Sequence, residues 1–598
     1  MVSLGDVPGF IAELTAAPGD NPELLLQHLL QVQQRYNHVP PAAAGLLAER
    51  LALPLAQVRA VVDFYAFLHA APRGDFDILF SDSITDHMLG SRDLLAQLCR
   101  RLDVAPGIPR GDGRATVDVA SCTGLCDQGP AMLVNGLAIT RVDAPRIESI
   151  AALVEAGAPL DTWPAAFFAL EDNIHRRDRL LQAPREEGAA LRALHQQGAD
   201  SVLENLQASG LRGRGGAGFP TAAKWRLCRD APAQARYVVC NADEGEPGTF
   251  KDRVLLNSYA DEVFEGMTLC AAVIGAKEGY LYLRAEYRCL LEPLQAVLAQ
   301  RRKDGLLGRD ILGRPGFDFD IRIHLGAGAY ICGEESALIE SLEGKRGVPR
   351  KRPPFPVTHG FRGQPTVVNN VETFFAATAI TRFGADWFRA AGTEQSAGTK
   401  LFSVSGDCER PGIYEYPLGT SVRQLLEDCG AAEAGAVQLS GAAGRLLPAS
   451  AFDARLAFED APAGGSFIVF GAQRDLLDAV RNFTHFFAHE SCGFCTPCRV
   501  GGTLMKQLID KVYAGRASEY DLQELRSIGS LMKRASHCGL GATAPNPVLD
   551  SLDRLPDLYR RRLRDTAYEP AFDLDAELEQ SRRITGRDDP GAHIGNEV

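Results

Sequence analysis

The spacing of hydrophobic residues near the amino terminus is helical. Between residues 22 and 70, apolar side chains recur every three or four positions, as at Leu25 and Leu29. This spacing places them on one face of a helix. Pro40 and Pro41 separate the first run from the next, because proline lacks the backbone N–H that a helix interior needs. This stretch therefore predicts a helical unit.

The pattern changes from residue 75 onward. Short apolar runs with helical stretches between them predict alternating strands and helices as far as residue 155. A charged, polar stretch then predicts a linker, and a long glycine-punctuated region predicts a larger α/β domain. A β-rich unit, a mainly helical segment and a polar tail follow. The pattern as a whole predicts a multidomain chain of α/β and α+β type.

The composition is that of an ordinary globular protein. Of the 598 residues, 45% are hydrophobic and 23% are charged, which is enough apolar material for several cores. The formal net charge is −13. Because phosphate contacts need a basic surface, this charge argues against binding to nucleic acid.

Neither export nor membrane insertion is expected. The first six residues carry no basic region followed by a long apolar one, and no uncharged apolar run reaches the length of a membrane-spanning helix. We therefore expect a cytoplasmic protein. In that compartment the 14 cysteines are free or bind metals rather than form disulfides.

Cysteine spacing identifies a candidate metal centre. Cys492, Cys495 and Cys498 follow the pattern C-x2-C-x2-C, and Cys538 stands alone further on. Three thiolates in one short loop suit three corners of a [4Fe–4S] cluster, which a distant fourth cysteine completes. Structural zinc is the alternative, but zinc sites usually combine two pairs of ligands. The spacing therefore favours the cluster.

A glycine-rich loop is the candidate phosphate site. Four glycines lie between residues 213 and 218, and glycines let backbone N–H groups approach a phosphate. The loop matches the dinucleotide fingerprint G-x-G-x-x-G, but a helical pattern precedes it where that fingerprint needs a strand. A tight structural turn is the alternative. The nearby basic residues Arg212, Arg214 and Lys224 favour an anion site.

Carboxylates and amides follow predicted strands further along the chain. Carboxylates can accept hydrogen bonds from ribose hydroxyls or flavin N–H groups, and amides can bind the edge of a heterocycle. A solvated acidic loop is the alternative for each carboxylate run. The candidate residues are Asn241, Asp243, Glu244, Glu246, Glu334, Glu335, Asn369 and Asn370.

Together these motifs resemble the 51-kDa flavoprotein subunit of respiratory complex I. The similarity extends from about residue 190 to residue 565. Five runs carry it in the same order: residues 213–221, 240–253, 328–335, 353–356 and 490–499. The resemblance implies an FMN, an NAD(H) laid over the flavin, and a [4Fe–4S] cluster held by the four cysteines named above.

The same resemblance implies the residues of each cofactor site. For FMN they are Gly213, Arg214, Gly215, Gly216, Gly218, Lys224, Asn241, Asp243, Glu244, Tyr330, Gly333, Glu334, Asn369, Asn370 and Thr373. For NAD(H) they are Phe219, Phe355, Glu246 and Glu335. Arg352 stands where many relatives carry Lys, and the two side chains differ in geometry although both are charged. No protein acid or base is implied, because hydride transfer needs none.

The first 150 residues resemble the 24-kDa partner subunit of the same complex. That family has a helical unit and a thioredoxin-like domain, and binds a [2Fe–2S] cluster through two cysteine pairs. Cys122 and Cys126 match the second pair, whereas Ser81 and Asp86 occupy the positions of the first. Because oxygen ligands bind an iron–sulfur cluster poorly, we predict that this [2Fe–2S] cluster is absent.

The fusion of the two regions resembles the diaphorase flavoprotein subunits of soluble NAD-reducing [NiFe]-hydrogenases. The implied activity moves hydride between NAD(H) and FMN, and single electrons through the [4Fe–4S] cluster, in the reaction H2 + NAD+ to NADH + H+. The implied partners are a small iron–sulfur diaphorase subunit and, through it, hydrogenase subunits in a hetero-oligomer. Subunits of soluble NAD-dependent formate dehydrogenases or of complex I-type NADH dehydrogenases are the alternatives.

The expected domains combine the periodicity with these resemblances. They are a helical unit (1–72), a degenerate thioredoxin-like [2Fe–2S]-type domain (73–155), a linker (156–190), an FMN- and NAD-binding α/β domain (191–395), a ubiquitin-like β-rich domain of SLBB type (396–475), a helical [4Fe–4S] domain (476–565) and a polar tail (566–598).

Overall fold

A computed structural model describes residues 6–16, 21–462, 464–566 and 574–589. Some of the expectations concern residues outside these ranges. They are the expectations for residues 1–5 and for residues 567–573 and 590–598 of the polar tail. None of the described helices combines the length and the hydrophobicity that crossing a bilayer takes.

Two compact units make up the chain. The first comprises Met1–Arg474 together with His537–Gly539, and the second comprises Asp475–Ser536 and Leu540–Val598.

Four helices at the amino terminus pack against one another. They are α1 (Val7–Ala16), α2 (Leu25–Tyr36), α3 (Pro41–Arg50) and α4 (Leu55–Phe64). Helix α2 ends at Asn37, which adopts the left-handed conformation (φ 58°) and donates its N–H to the Gln33 carbonyl. The hydroxyl of the buried Tyr65 donates to Ser341 Oγ at 2.7 Å. This bond ties the helical unit to the larger α/β region.

A four-stranded sheet with its own core follows. Its elements are β1 (Phe76–Ser81), α5 (Ile84–Met88), α6 (Ser91–Leu102), β2 (Ala115–Ala120), β3 (Met132–Val134), β4 (Leu137–Ile139) and α7 (Ala144–Ala156). The strand order is β2-β1-β3-β4, with β1 and β2 parallel and β3 antiparallel to both of its neighbours. The inward side chains of Ile78, Val117 and Ile147 are fully buried in this core.

Residues 156–190, which the sequence predicts as a linker, contain regular structure. Strand β5 (Ile174–Arg176) and helix α8 (Arg179–Gln182) lie there. β5 pairs in parallel with residues 413–414 and forms the edge of a sheet. Only one of its three residues is apolar, so no alternation was present from which a strand could be predicted.

A parallel sheet forms the centre of the larger α/β region. The elements are α9 (Ala189–Gln197), α10 (Ala199–Ser209), α11 (Thr221–Asp230), β6 (Tyr237–Ala242), α12 (Lys251–Ser258), α13 (Ala260–Ile274), β7 (Glu278–Leu283), α14 (Leu291–Lys303), β8 (Asp320–Leu325), α15 (Glu335–Leu342), α16 (Pro356–His359), β9 (Thr366–Asn370), α17 (Val371–Phe383) and α18 (Ala385–Arg389). The order is β8-β7-β6-β9, and every neighbouring pair is parallel. The chain adds β7 and β8 on one side of β6 and then β9 on the other. The strand order thus reverses between β6 and β9, where open parallel sheets bind ligands beyond their carboxyl ends.

A mixed sheet completes the first unit. Its elements are β10 (Thr399–Gly406), β11 (Gly412–Pro417), α19 (Val422–Asp428), β12 (Ala434–Leu439), β13 (Arg445–Pro448) and β14 (Ser466–Gly471). The order is β13-β12-β14-β10-β11-β5. Helix α19 begins after Ser421, whose hydroxyl accepts the N–H of Gln424 and thereby caps the helix.

Helices dominate the chain from residue 476 onward. They are α20 (Leu476–His489), α21 (Thr496–Tyr513), α22 (Glu519–Ala535), α23 (Gly539–Thr543), α24 (Asn546–Arg554), α25 (Asp557–Arg560) and α26 (Leu574–Thr585). Lys511 of α21 and Asp521 of α22 form a buried ion pair at 2.8 Å. Asp521 also belongs to the capping box that starts α22 at Ser518.

We expect Lys511→Met to weaken the packing of α21 on α22 by roughly 3–5 kcal/mol, because it leaves the Asp521 carboxylate buried without its partner. Arg526→Met is the matched control: it breaks the exposed Arg526–Asp553 pair, which contributes less than about 1 kcal/mol. Hydrogen exchange of peptides from both helices measures the difference. Equal exchange rates in the two variants would contradict the prediction.

Candidate functional site

The predicted flavin residues meet where the strand order reverses. Asn241 at the end of β6 stands opposite Asn370 at the end of β9. The glycine loop lies against the same place, since a Cβ added at Gly215 would be 3.1 Å from Cβ of Asn370. Residues from three distant parts of the sequence therefore form one site at the carboxyl edge of the sheet.

The backbone of the glycine loop forms an open cradle. Gly213 N–H donates to the Phe219 carbonyl (2.9 Å), which closes the loop, and Arg212 Nε donates to the Gly218 carbonyl (2.7 Å). Gly216 has φ +118°, and no atom lies within 4 Å of a Cβ built there. Only glycine adopts this conformation readily, and the free space lets a ligand approach the backbone.

Arg214 is predicted to bind the cofactor, and the structure places its side chain in hydrogen bonds within the protein, so its contact with a ligand stays a prediction. The guanidinium is buried and donates to the carbonyls of Ala397 (3.2 Å) and Thr399 (3.1 Å), while the backbone N–H donates to Thr373 Oγ1 (2.9 Å). Burial lowers the pKa of Arg214 to about 10. Arg214 and Thr373 thus anchor the loop from behind.

The strand-end amides are held in fixed orientations. Asn241 Nδ2 donates to the Gly333 carbonyl (2.8 Å), and its Oδ1 accepts the N–H of Asp243 (3.1 Å). Asn369 Oδ1 accepts the indole N–H of Trp225 at 2.9 Å. Trp225 is fully buried and was not among the predicted site residues, since a single tryptophan in a helix is typical of a core.

Glu244 is likewise predicted to bind the cofactor, and its carboxylate accepts hydrogen bonds within the protein. It accepts the backbone N–H groups of Asp252 (2.9 Å) and Arg253 (3.2 Å) at the start of α12, and the hydroxyl of Tyr287 (2.8 Å). Burial raises the pKa of Glu244 to about 7. The side chain therefore fixes the start of α12, and its contact with a cofactor stays a prediction.

A buried set of charges beneath the loop escaped the sequence analysis. Lys251 Nζ lies 2.6 Å from Asp252 and 3.0 Å from Glu372, and it donates to Asn370 Oδ1 at 3.1 Å. Lys400 Nζ lies 3.5 Å from the same Glu372 carboxylate. One feature of the sequence could have indicated these buried charges: the three charged residues 251–253 are followed directly by apolar ones.

The predicted nucleotide residues divide into exposed aromatic and paired polar side chains. Phe219 and Phe355 are 47% and 50% exposed, unusual for phenylalanine, and therefore available to a planar base. Glu335 accepts from Lys224 Nζ at 3.0 Å. Glu334 accepts the N–H groups that start α15, and Arg352 forms ion pairs with both glutamates.

Glu246 and Tyr330 form a second polar pair at this edge. The Tyr330 hydroxyl donates to Glu246 Oε2 (2.6 Å), and the N–H of Ala443 donates to Oε1 (2.9 Å). Burial raises the pKa of Glu246 to about 7, so this carboxyl is partly protonated near neutral pH.

This site fits a flavin mononucleotide. The cradle at Gly216 leaves backbone accessible to an anionic group, and the amides of Asn241 and Asn370 stand at the reversal of strand order. Phe219 of the glycine-loop run and Phe355 of the 353–356 run are exposed. Backbone N–H groups and amides match the phosphate and the ring edge of a flavin.

Three candidate cluster ligands share one loop of the second unit. Cys495 is the residue before the first turn of α21 and Cys498 lies within that turn, with Cys492 three residues earlier. The donor set of three thiols suits an iron–sulfur cluster. Cys538 is grouped with the first unit, so its role as fourth ligand remains a prediction. No three Cys, His, Asp or Glu side chains in the described ranges stand close enough to share one metal ion.

A [2Fe–2S] cluster on Cys122 and Cys126 would need a second pair of cysteine ligands. The residues predicted at those two positions, Ser81 and Asp86, carry oxygen atoms instead of sulfur. Ser81 Oγ donates to Asp86 Oδ2 at 2.6 Å, and Asp86 also accepts from Ser83 (2.8 Å) and from the N–H of Ala131 (2.8 Å). Burial raises the pKa of Asp86 to about 6. This donor set does not fit a [2Fe–2S] cluster, because such clusters bind soft thiolates.

Family models match four stretches of the chain. They are the Nuo51 FMN-binding domain at residues 206–379, a thioredoxin-like [2Fe-2S] ferredoxin at 11–155, an SLBB domain at 401–441, and the NADH-ubiquinone oxidoreductase-F iron-sulfur binding region at 478–562. The predicted multidomain fold class is confirmed.

Hydrogenase subunits are similar to this protein along almost the whole chain. The NAD-reducing hydrogenase HoxS subunit alpha of Cupriavidus necator is 44% identical over 572 residues, covering 93% of this chain and 94% of the relative. The NADH-quinone oxidoreductase F subunit of Aquifex aeolicus is 40% identical, covering 62% of this chain and 88% of the relative. A chain in the crystal structure of an NAD+-reducing [NiFe]-hydrogenase in the H2-reduced state aligns with a TM-score of 0.90, 44% identity and coverages of 96% and 99%. The chain therefore belongs to the family of the HoxS subunit alpha of NAD-reducing hydrogenases.

Proposed function

We propose that this chain is the NAD(H)-oxidising and NAD+-reducing flavoprotein subunit of a soluble hydrogenase. The observation that carries the proposal is the meeting of the glycine loop with Asn241 and Asn370 at the reversal of strand order. The chain also resembles the HoxS subunit alpha along nearly its full length, including the amino-terminal domain. The match to the NADH-quinone oxidoreductase F subunit covers 62% of the chain, so the hydrogenase assignment explains more of it.

A bound flavin exchanges an electron pair with nicotinamide and single electrons with iron–sulfur clusters, and so connects the two. The protein's own residues would bind the flavin and the nucleotide and orient them toward each other. The cradle at residues 213–218 would hold the phosphate, Asn241 and Asn370 would face the ring, and Asp243 lies beside them. Lys224 sits between Glu335 and the Val368 carbonyl and would contribute positive charge near the ring.

The nucleotide would lie on the exposed aromatic residues. Phe219 and Phe355 present their rings to solvent, while Arg352, Glu334 and Glu335 form a polar rim. The charge of Arg352 would attract the dinucleotide's phosphates. No residue has to move a proton, because hydride transfer is not accompanied by proton abstraction at the nicotinamide.

Electrons would leave or enter through a [4Fe–4S] cluster on Cys492, Cys495, Cys498 and Cys538. The family region that matches residues 478–562 supports this ligand set. We also propose that the amino-terminal domain carries no [2Fe–2S] cluster. The residues at two of its four ligand positions, Ser81 and Asp86, have oxygen atoms that are hydrogen-bonded to each other. A small iron–sulfur diaphorase subunit and, through it, [NiFe]-hydrogenase subunits would be the partners, because this sequence has no nickel-binding cysteine pairs of its own.

Phe355→Ala should raise KM for NADH by about 5- to 150-fold, because base–aromatic stacking contributes ~1–3 kcal/mol. The FMN content should be unchanged. Steady-state reduction of ferricyanide by NADH measures KM. Ile108→Ala, which removes an exposed side chain (61%) from the amino-terminal domain, is the control and should leave KM unaltered. An unchanged KM in the Phe355 variant would exclude this residue from the nucleotide site.

Cys495→Ala should leave the bleaching of bound FMN by NADH intact and abolish electron transfer to the native partner, because one cluster ligand is missing. Cys289→Ala, which removes a lone partly buried cysteine, is the control. Electron paramagnetic resonance of the reduced full chain follows the cluster. Unimpaired transfer in the Cys495 variant would contradict the relay. A remaining signal of [2Fe–2S] type that is lost on further substitution of Cys122 would reveal a cluster in the amino-terminal domain.

The metal content of the native complex tests the choice of partner. We expect nickel in stoichiometric amount in the complex captured anaerobically from native cells through this chain. Molybdenum or tungsten without nickel would instead indicate a formate dehydrogenase. Iron alone would indicate a complex I-type dehydrogenase, and either result would overturn the hydrogenase assignment.

A further inference from the structure

Two thiols face each other inside the amino-terminal domain. The Sγ atoms of Cys122 and Cys126 are 3.6 Å apart, and the residues are 1% and 3% exposed. A disulfide has an S–S distance near 2.0 Å, so the two sulfurs need to approach by only about 1.6 Å to bond.

The loop between β2 and β3 brings these thiols together. Gly124, midway between them, has φ +71°, a conformation that reverses the chain locally. Its N–H donates to Cys122 Sγ at 3.4 Å. Arg284 donates to the Cys122 carbonyl at 2.6 Å and fixes one end of the loop. The pair is therefore held in position by its surroundings.

The residues across from the thiols are already occupied. Asp86 accepts hydrogen bonds from two hydroxyl groups and from the N–H of Ala131. Within the part of the chain that the structure describes, no third ligand completes a metal site with the two cysteines. The contact between the two Sγ atoms, at 3.6 Å, is therefore the one on which chemistry at this pair depends.

We propose that Cys122 and Cys126 are a redox-active dithiol that a small peroxide converts to an intramolecular disulfide. One sulfur attacks hydrogen peroxide, which gives a sulfenic acid and one water. The second thiol attacks that sulfenic sulfur, and the S–S bond forms as a second water leaves. The two thiols lose two electrons and two protons in total, and the peroxide is reduced to two waters.

Burial selects the oxidant. Both thiols are almost fully covered, so we expect a bulky disulfide such as oxidised glutathione to be excluded. Hydrogen peroxide is only slightly larger than a water molecule, and we expect it to reach them. None of the steps of the proposed function uses these thiols, so the dithiol is a separate site.

The dithiol lies close to the flavin-side residues. A Cβ at Gly124 would be 2.5 Å from the ring of Tyr287, so the loop packs tightly on this side chain. The Tyr287 hydroxyl donates to Glu244, whose carboxylate accepts the backbone N–H groups at the start of α12.

Peptide mass spectrometry of the FMN-loaded full chain tests the proposal. The protein is treated with hydrogen peroxide, quenched in acid, denatured and alkylated. We expect the peptide that contains both cysteines to lose both alkylation sites together and to weigh about 2 Da less than the dithiol. Dithiothreitol added before alkylation should restore both sites. Oxidised glutathione in place of peroxide should leave them alkylated.

Variants separate this result from general thiol oxidation. Cys122→Ser should abolish the paired loss, while Cys99→Ser, which alters a lone cysteine of the same domain, should retain it. Full alkylation after peroxide, or separate oxidation of each sulfur to sulfinic acid, would overturn the proposal. Iron and inorganic sulfide bound to the two cysteines in the isolated protein would overturn it as well. None of these readouts depends on diaphorase activity, so a failure of the proposed function is distinguishable.

Discussion

A buried set of opposite charges holds the glycine loop to the sheet. Glu372 binds Lys251 and Lys400, and although burial opposes ionisation, these cations and Arg214 keep the pKa of Glu372 below its usual value. Lys400 also donates to the Arg214 carbonyl (3.0 Å), and burial lowers its pKa to about 8. Removing one member of a buried ion pair costs roughly 3–5 kcal/mol. The loop, the start of α17 and β10 are consequently held together as one support for the cradle.

The site residues differ in how far their roles can be predicted from the sequence. Glycine spacing and strand-end amides are enough to predict the cradle, Asn241 and Asn370 as site residues, because their chemistry is local to the chain. Arg214 and Glu244 are charged residues in the same motifs, and the sequence assigned them to the ligand. Their partners, the Thr399 carbonyl and Tyr287, are distant in sequence. Only the folded chain shows that these charges satisfy buried groups of the protein.

The same distinction applies to the fold. Apolar periodicity predicted helices such as α2 and the alternating elements after residue 75, because one buried face leaves a regular pattern. β5 left no such pattern, since a three-residue edge strand is stabilised by backbone pairing with β11 rather than by burial. Trp225 was likewise not recognised, because its bond to Asn369 depends on how α11 crosses the end of β9.

The amino-terminal domain has a structural reason to persist without cluster ligands at Ser81 and Asp86. The loop between β2 and β3 supplies two acceptors. Asp127 accepts two hydrogen bonds from Arg253 (2.8 and 2.9 Å) in a buried ion pair. The Cys122 carbonyl accepts a hydrogen bond from Arg284. Both arginines belong to the flavin-binding region and are buried. Without the loop, Arg253 would lose its carboxylate partner in the interior, at a cost of roughly 3–5 kcal/mol. Arg284 would lose one carbonyl acceptor and keep its ion pair with Glu286. The flavin domain thus needs this loop whether or not it binds iron.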